Sequence, residues 1–437
     1  MEKIDMVVTS SFIITMREKG EVIEDGAMAI KDGEIIWIGK RREGEKFDFN
    51  RLIDGGYSVM TPGFINTHTH AAMVGFRGLA DDLPLMKWLK EYIWPSEGKF
   101  VSREFIRDVL PLAIIEMLAS GITTYADMYF FQDEAAKIAR EMGIRAVLGE
   151  GLIDFETPSF KTPREALDFT QNFIKEWKGE EMIIPAVAPH APYSCSKKLL
   201  LSSIELSNKY DVPCLIHIAE TEDEVNEIRK RYGKTPVKYL EEIGFLSRNV
   251  VAAHSVWLDE DEIEIYKRYE VGVSHNPTSN LKLASGIAPV PEFLKKEIKI
   301  GIGTDGAASN NNLDFIEEIH ITALIHKVKA MDPTVVSVWD VLYIATLGGA
   351  HVLGLQNKIG SLEPGKKADF VIFDLKKPHL TPMFNPASHL VYTAKSSDIK
   401  YVVVNGKIKM DKGDFPQFPV DEIMRRISEF SKKIKIS

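Results

Sequence analysis

The stretch Thr61-Pro62-Gly63-Phe64-Ile65-Asn66-Thr67-His68-Thr69-His70 decides how the chain is read. Pro62-Gly63 is a turn signal, and the residues behind it read as a strand. Side chains alternate along a strand with a period of two, so His68 and His70 project from one face and their imidazoles converge. Neutral imidazole is a common ligand for zinc and iron, and this repeat needs no loop to bring the rings together. Residues 71–100 carry glycines and aromatics and read as a loop and cap over whatever the two histidines hold. A His-x-His pair also suits two polar residues at an exposed strand end, so the rest of the chain has to decide.

At 437 residues the chain exceeds one average domain and suits a barrel of about 250–300 residues with a smaller module. The net charge of −9 lacks the basic face that nucleic acid or an anionic membrane would require, which leaves a small neutral or zwitterionic substrate as the easier partner. The first residues show no basic segment followed by an apolar one, and no apolar run reaches the roughly 18–20 residues of a membrane span. Two cysteines, Cys195 and Cys214, are too few for a disulfide framework and are expected to be reduced thiols of a cytoplasmic protein.

Residues 1–58 read as β, with Lys31-Asp32-Gly33 as a hairpin turn. That piece is too small to bury both faces of a sheet. Short strands return at 368–375 and 400–410, the second broken by Asn405-Gly406, so the two chain ends are expected to form one β-sandwich module, 1–58 with 357–418. Between them, 59–356 alternates strand-like runs at 64–70, 122–128, 145–151, 183–190, 214–220, 250–255, 271–275 and 300–305 with helical spacing at 103–120, 133–142, 163–177 and 222–243. Eight such repeats predict an α/β fold of the (β/α)8 type, a TIM-like parallel barrel whose site lies at the carboxyl ends of its strands. Residues 419–437 predict a C-terminal amphipathic helix with Ile423, Met424, Ile427 and Phe430 on one face.

The barrel makes a test: residues able to bind metal should end the strands. Strand 1 ends in His68-Thr69-His70, strand 4 in His190, strand 5 in His217-Ile218-Ala219-Glu220, strand 6 in His254, strand 7 in His275 and strand 8 in Asp305. Each alone could be a satisfied core or loop group; their recurrence at one end of one barrel points to a metal centre.

These motifs, with Ser274-His275-Asn276-Pro277-Thr278-Ser279-Asn280-Leu281-Lys282-Leu283-Ala284-Ser285-Gly286 and Gly303-Thr304-Asp305-Gly306-Ala307-Ala308-Ser309-Asn310, resemble the amidohydrolase superfamily. More narrowly they resemble its 5-methylthioadenosine/S-adenosylhomocysteine deaminases. The resemblance runs over nearly the whole chain and implies one divalent metal, Zn2+ or alternatively Fe2+, held by His68, His70, His217 and Asp305. Two-metal relatives place a bridging lysine at the end of strand 4, where this chain has Ala188-Pro189-His190 and Lys197 only beyond it.

For the reaction, the resemblance implies hydrolytic deamination of the adenine ring of 5′-substituted adenosines. Glu220 is the candidate to relay a proton to the ring nitrogen, His254 to orient the attacking water, and Asp305 to double as ligand and proton acceptor. A solvated carboxylate at a helix start is the plainer account of Glu220. For the substrate, the resemblance assigns Glu97 to the ribose hydroxyls, which suit an acceptor-only carboxylate, and His190 to a substrate contact. Trp88 and Trp94 are candidates to line the pocket. His275 is expected to be structural. Strand 3 ends in Glu150 where some relatives have arginine, which leaves Arg164 as the candidate clamp for a charged tail and disfavours such a tail relative to a neutral one. Deamination or dechlorination of another ring (guanine, cytosine or a triazine) and an inactive amidohydrolase-like binding protein stay open, as does a homo-oligomer.

Overall fold

The computed structural model describes residues 3–44 and 47–435. Strands β1 (Lys3–Ile14), β2 (Val22–Lys31), β3 (Glu34–Lys40), β4 (Asp48–Asp54) and β5 (Ser58–Pro62) come first. Then follow β6 (Phe64–Thr69), β7 (Ile122–Tyr129), β8 (Arg145–Leu152), β9 (Ile183–Pro189), β10 (Cys214–Ile218), β11 (Val250–His254), β12 (Gly272–His275) and β13 (Ile300–Ile302). The last three are β14 (Phe370–Asp374), β15 (Ile399–Val404) and β16 (Lys407–Asp411).

Strands β6 to β13 pair in parallel and close on themselves, β13 against β6 and β9 against β10, so all eight predicted strands form the predicted barrel. They were readable because a parallel strand covered on both faces is apolar along most of its length. Helices Arg103–Ala119, Gln132–Met142 and Pro163–Trp177 stand where the spacing places them. The run at 222–243 is instead two helices, Glu222–Tyr232 and Pro236–Glu242. Gly233 in the left-handed conformation ends the first, and Pro236, which lacks an N–H to donate, starts the second.

The remaining strands form one sheet in the order β16-β15-β14-β5-β1-β2-β3, with β4 also paired to β1. Every one of its eight strands sends a side chain into one core, for example Met6, Met28, Ile35, Ile53, Met60, Phe370, Tyr401 and Ile408. Alternate residues face the barrel instead: Val371 and Phe373 of β14, and Val402 and Val404 of β15, join the main core. The two hairpins turn on Asp32-Gly33 and Asn405-Gly406, all four at positive φ, the conformation a two-residue turn between twisted strands demands. Strand β4 lies outside the sequence prediction because only Ile53 of it is buried, leaving no alternation to detect.

Helix Val420–Lys435 packs on Arg103–Ala119 through Ile423, Ile427 and Phe430, whose ring lies 5.2 Å from that of Phe105. Met424, placed on the same face by the sequence, is 45% exposed: one position past Ile423, it is rotated about 100° away. Residues 436–437 of the predicted helix lie outside the described residues. Among the described residues no helix is long and apolar enough to cross a membrane.

Candidate active site

The site is built by the way strands end. Asp305, Ala219 and His254 each follow or close a strand at positive φ, so the chain turns sharply there and its side chains point over the barrel mouth. Asp305 is fixed to strand β6 by its own backbone, its N–H donating to His68 O at 3.0 Å and its carbonyl accepting from Thr69 Oγ1 at 2.9 Å. Beneath it Asn66 Nδ2 donates to Thr304 Oγ1 at 2.8 Å, and Thr304 N–H donates to Asn66 Oδ1 at 3.0 Å. The first and last barrel strands are thereby stitched together directly under the site.

Four donors converge there. His68 Nε2 and His70 Nε2 lie 3.4 and 3.3 Å from Asp305 Oδ1, and His217 Nε2 lies 3.3 Å from His70 Nε2. Carbonyl oxygens only accept, so His70 Nδ1 donates to Met128 O at 2.6 Å and His217 Nδ1 to His190 O at 2.7 Å. Each ring is fixed as the tautomer whose Nε2 lone pair faces the centre, the usual outer support of a metal-ligating histidine. Two such lone pairs at 3.3 Å have no proton between them and need a cation. His68 Nε2 is buried with no hydrogen-bond partner among the described residues. Donors at the corners of a tetrahedron about 2.0–2.1 Å from its centre stand about 3.3–3.4 Å apart, which is the spacing of the His68–Asp305, His70–Asp305 and His70–His217 pairs. The donors form two groups that share His68, one with His70 and Asp305 and one with His217 and His254, and imidazoles beside a carboxylate are a donor set that suits a divalent metal. Burial, followed by the neighbouring rings, holds His217 well below the usual histidine range; burial takes His68 down to about 4, so both imidazoles are neutral at pH 7. Asp305 stays ionised despite burial because His68, His254 and His70 face it.

Two further groups flank the centre. His254 Nε2 stands 3.7 Å from Glu220 Oε2 and 4.0 Å from Asp305 Oδ2, and its Nδ1 donates to Asn280 Oδ1 at 2.8 Å. Burial raises the Glu220 carboxyl above its ordinary range, with the charge of Asp305 adding to it. Burial opposes a charge on His254, but the Glu220 and Asp305 carboxylates outweigh it and its pKa is raised. The second oxygen of Asp305 accepts from Ser279 Oγ at 2.6 Å and Ser309 Oγ at 3.2 Å.

The cavity above these groups is walled by the cap. Residues 71–100 are helical rather than a loop: a turn at Ala71–Phe76 and a nearly continuous run from Leu85 to Phe100 that presents Trp88, Leu89, Trp94 and Glu97. Tyr129, Phe130, Ile153, His190 and Tyr193 complete the wall. Glu97 is 3% exposed; burial pushes its carboxyl up to about 8 against the opposing effect of the Tyr129 hydroxyl it faces, and neither Glu97 Oε1 nor that hydroxyl makes a well-formed hydrogen bond among the described residues. His190 is held by Ser194 Oγ at 2.7 Å from its Nδ1.

The structure thus brings His70, His190, His217, Glu220, His254, Asp305, Glu97, Trp88 and Trp94 to one cavity, sets His68 3.4 Å from Asp305, and leaves out Arg164. That side chain is 91% exposed on helix Pro163–Trp177, 3.9 Å from Asp168, because position N2 of an amphipathic helix whose other face is buried points to solvent. Glu150 is spoken for: it accepts from Phe131 N at 3.3 Å, Gln132 N at 3.0 Å and Ser159 Oγ, tying the loops after β7 and β8 together. His275 is buried and faces His326, Nε2 to Nε2 at 3.1 Å, away from the donors. Sequence reasoning did not single out Tyr129, Ser279, Asn280 or Ser309; the last three lie within motifs it quoted, and Tyr129 carries the strand-end signal used for the histidines.

Barrels that gather such donors at their strand ends form a class of metal-dependent hydrolases. The chain belongs to the amidohydrolase family, whose model matches residues 59–409. It is 49% identical over 434 residues to a 5-methylthioadenosine/S-adenosylhomocysteine deaminase of Thermodesulfovibrio yellowstonii, covering 99% of each chain. It is 44% identical to a 5′-deoxyadenosine deaminase of Methanosarcina acetivorans, over 93% of each. Among solved structures it is similar to an adenosine deaminase from Xanthomonas campestris with bound zinc, at a TM-score of 0.98, 33% identity and full coverage of both chains.

Proposed function

We propose that the protein is a metal-dependent aminohydrolase that converts the adenine ring of 5′-substituted adenosines to the inosine form and releases ammonia. The observation that carries this reading is the placement of two groups outside the ligand set, Glu220 and His254, against the four converging donors. His68, His70, His217 and Asp305 would hold the metal, which we assign as zinc. Bound there, zinc would supply the Lewis acidity that lowers the pKa of a water to about 7.

The chain's own groups do the rest. Glu220, kept protonated more readily by burial, gives a proton to the ring nitrogen next to the carbon under attack. His254, fixed through Nδ1 by Asn280, turns Nε2 toward the attacking water and orients it. Asp305 takes that water's first proton on the carboxylate and passes it to the departing amine, while the proton left on the attacking oxygen returns to Glu220 as the ring carbonyl forms. Glu97, buried at the cavity wall, hydrogen-bonds the ribose hydroxyls, and Trp88, Trp94 and His190 hold the nucleoside while the cap keeps bulk water out. With Arg164 in solvent and Glu150 engaged by backbone N–H groups, neutral 5′ groups are preferred over a homocysteine tail.

The test is ammonia release by the zinc-loaded protein from methylthioadenosine, 5′-deoxyadenosine, adenosine, S-adenosylhomocysteine, adenine, guanine, cytosine and a chlorotriazine. Turnover of the adenosines, fastest with the neutral tails, is the expected result. Activity confined to free bases or to the triazine overturns it.

A further inference from the structure

We propose that Glu224 is a positioning residue for Glu220, an inference that rests on the proton-relay role given to Glu220 above. Thr221-Glu222-Asp223-Glu224 has the sequence of a capping box, in which the acid at the third helical position reaches back to the N–H of the cap residue. Half of the box is present: Glu224 N–H donates to Thr221 Oγ1 at 3.2 Å. The other half is diverted. The Glu224 carboxylate passes Thr221 and reaches one and two residues further back, where Ala219 N–H donates to Oε1 at 3.0 Å and Glu220 N–H donates to Oε2 at 2.8 Å.

The two residues it grips are those that aim the catalytic acid. Ala219 has φ +52°, so strand β10 breaks sharply just before Glu220, and an L residue does not hold that conformation without help. From the other side, Val256 N–H and Trp257 N–H both donate to Ala219 O at 3.0 Å, and Ser255 N–H donates to Ile218 O at 3.0 Å. The peptide that carries Glu220 is therefore clamped between the next loop and one carboxylate. Glu224 is only 5% exposed, and its partners are two backbone N–H groups rather than a cation. A carboxylate is a costly choice for an ordinary helix cap in such a place; it is the group that accepts from two adjacent N–H groups at once.

The test is a double-mutant cycle on the metal-loaded full chain. Glu224→Gln keeps one acceptor but turns an NH2 group toward the other N–H. It should lower kcat by about 10–100-fold, as expected of a catalytic group displaced by up to an ångström, with KM and metal content little changed. In a Glu220→Gln background the same change should cost almost nothing more, since the group it positions is already disabled. Hydrogen exchange at Ala219 and Glu220 should quicken in Glu224→Gln. Thr221→Ala, which removes the other half of the box, should lower the unfolding midpoint while leaving kcat as it is. An equal loss in both backgrounds, or a loss that tracks the unfolding midpoint and metal content, overturns the inference. If Glu220→Gln itself turns over normally, the relay reading fails. If Glu220→Gln is crippled but Glu224→Gln is not, only the positioning role falls.

Discussion

The two ends of the barrel differ in how far their buried charges are answered by a partner. At the amino ends of the strands Arg145 and Asp369 are 2% and 3% exposed and meet at 3.0 Å, joining β8 to the segment that enters β14. Asp369 Oδ1 accepts from Asn405 N–H at 2.6 Å, and Arg145 Nη1 donates to Glu181 O at 3.1 Å, which leaves only Nε of that guanidinium without a partner among the described residues. At the carboxyl ends, His68 Nε2, Glu97 Oε1 and the Tyr129 hydroxyl are as deeply buried, and although Glu97 faces Tyr129 and His68 faces Asp305, none makes a well-formed hydrogen bond among the described residues. A paired buried charge answers to the fold; an unpaired buried donor or acceptor costs stability and is kept for what binds to it.

Breaking that contrast at the catalytic end should have the largest effect. Asp305→Ala removes the carboxylate that His68 and His70 share, and should abolish metal retention and cut turnover beyond the ~10²–10⁴-fold of a lost proton-transfer group. Metal analysis and ammonia release check it; a variant that holds one metal per chain contradicts the ligand set. At the other end, Arg145→Ala strands the Asp369 charge and should cost about 3–5 kcal/mol of stability, with turnover per folded, metal-loaded molecule unchanged. Denaturant unfolding beside kcat reads the two apart, and a drop in kcat at full metal occupancy would mean the ends are not separable. The smallest effect sharpens the comparison through pH. With its pKa raised to about 8, folded Glu97 keeps a proton that the unfolded chain gives up near 4.5, so stability falls as pH rises from about 4.5 to about 8. Glu97→Gln should flatten that slope, as seen in unfolding midpoints between pH 5 and pH 8; identical slopes would remove Glu97 from the buried, protonated state.

Most of the barrel was legible because most of its strands are apolar runs and six of the eight close on, or run just past their end into, a His or Asp, and a single spacing rule places His68 and His70 side by side. Strand β4 was not, since a strand with one buried residue carries no pattern. The split at Gly233 and Pro236 was missed because helical spacing continues in register across the break. In the site, residue type at a strand end was enough to bring His70, His190, His217, His254 and Asp305, with Glu220 just beyond, to one cavity; which of them would hold a metal came from the resemblance. It could not serve for Arg164, because proximity in sequence to β8 says nothing about which side of the next helix faces the cavity. Glu224 was hidden by its own motif: Thr-x-x-Glu has a sufficient local explanation, and only the hydrogen bonds reveal that its second half reaches past the helix.

The pairing of β5 with β14, Pro62 opposite Phe370, also sets a timetable for synthesis. At ~5–20 residues per second, about 300 residues and roughly 15–60 seconds separate the emergence of one strand from that of its partner. Throughout that interval β5 offers an open, apolar edge that any other nascent chain could extend. The enzyme's first strands are thus its most exposed to mispairing on the ribosome, and the last 70 or so residues are what relieve them.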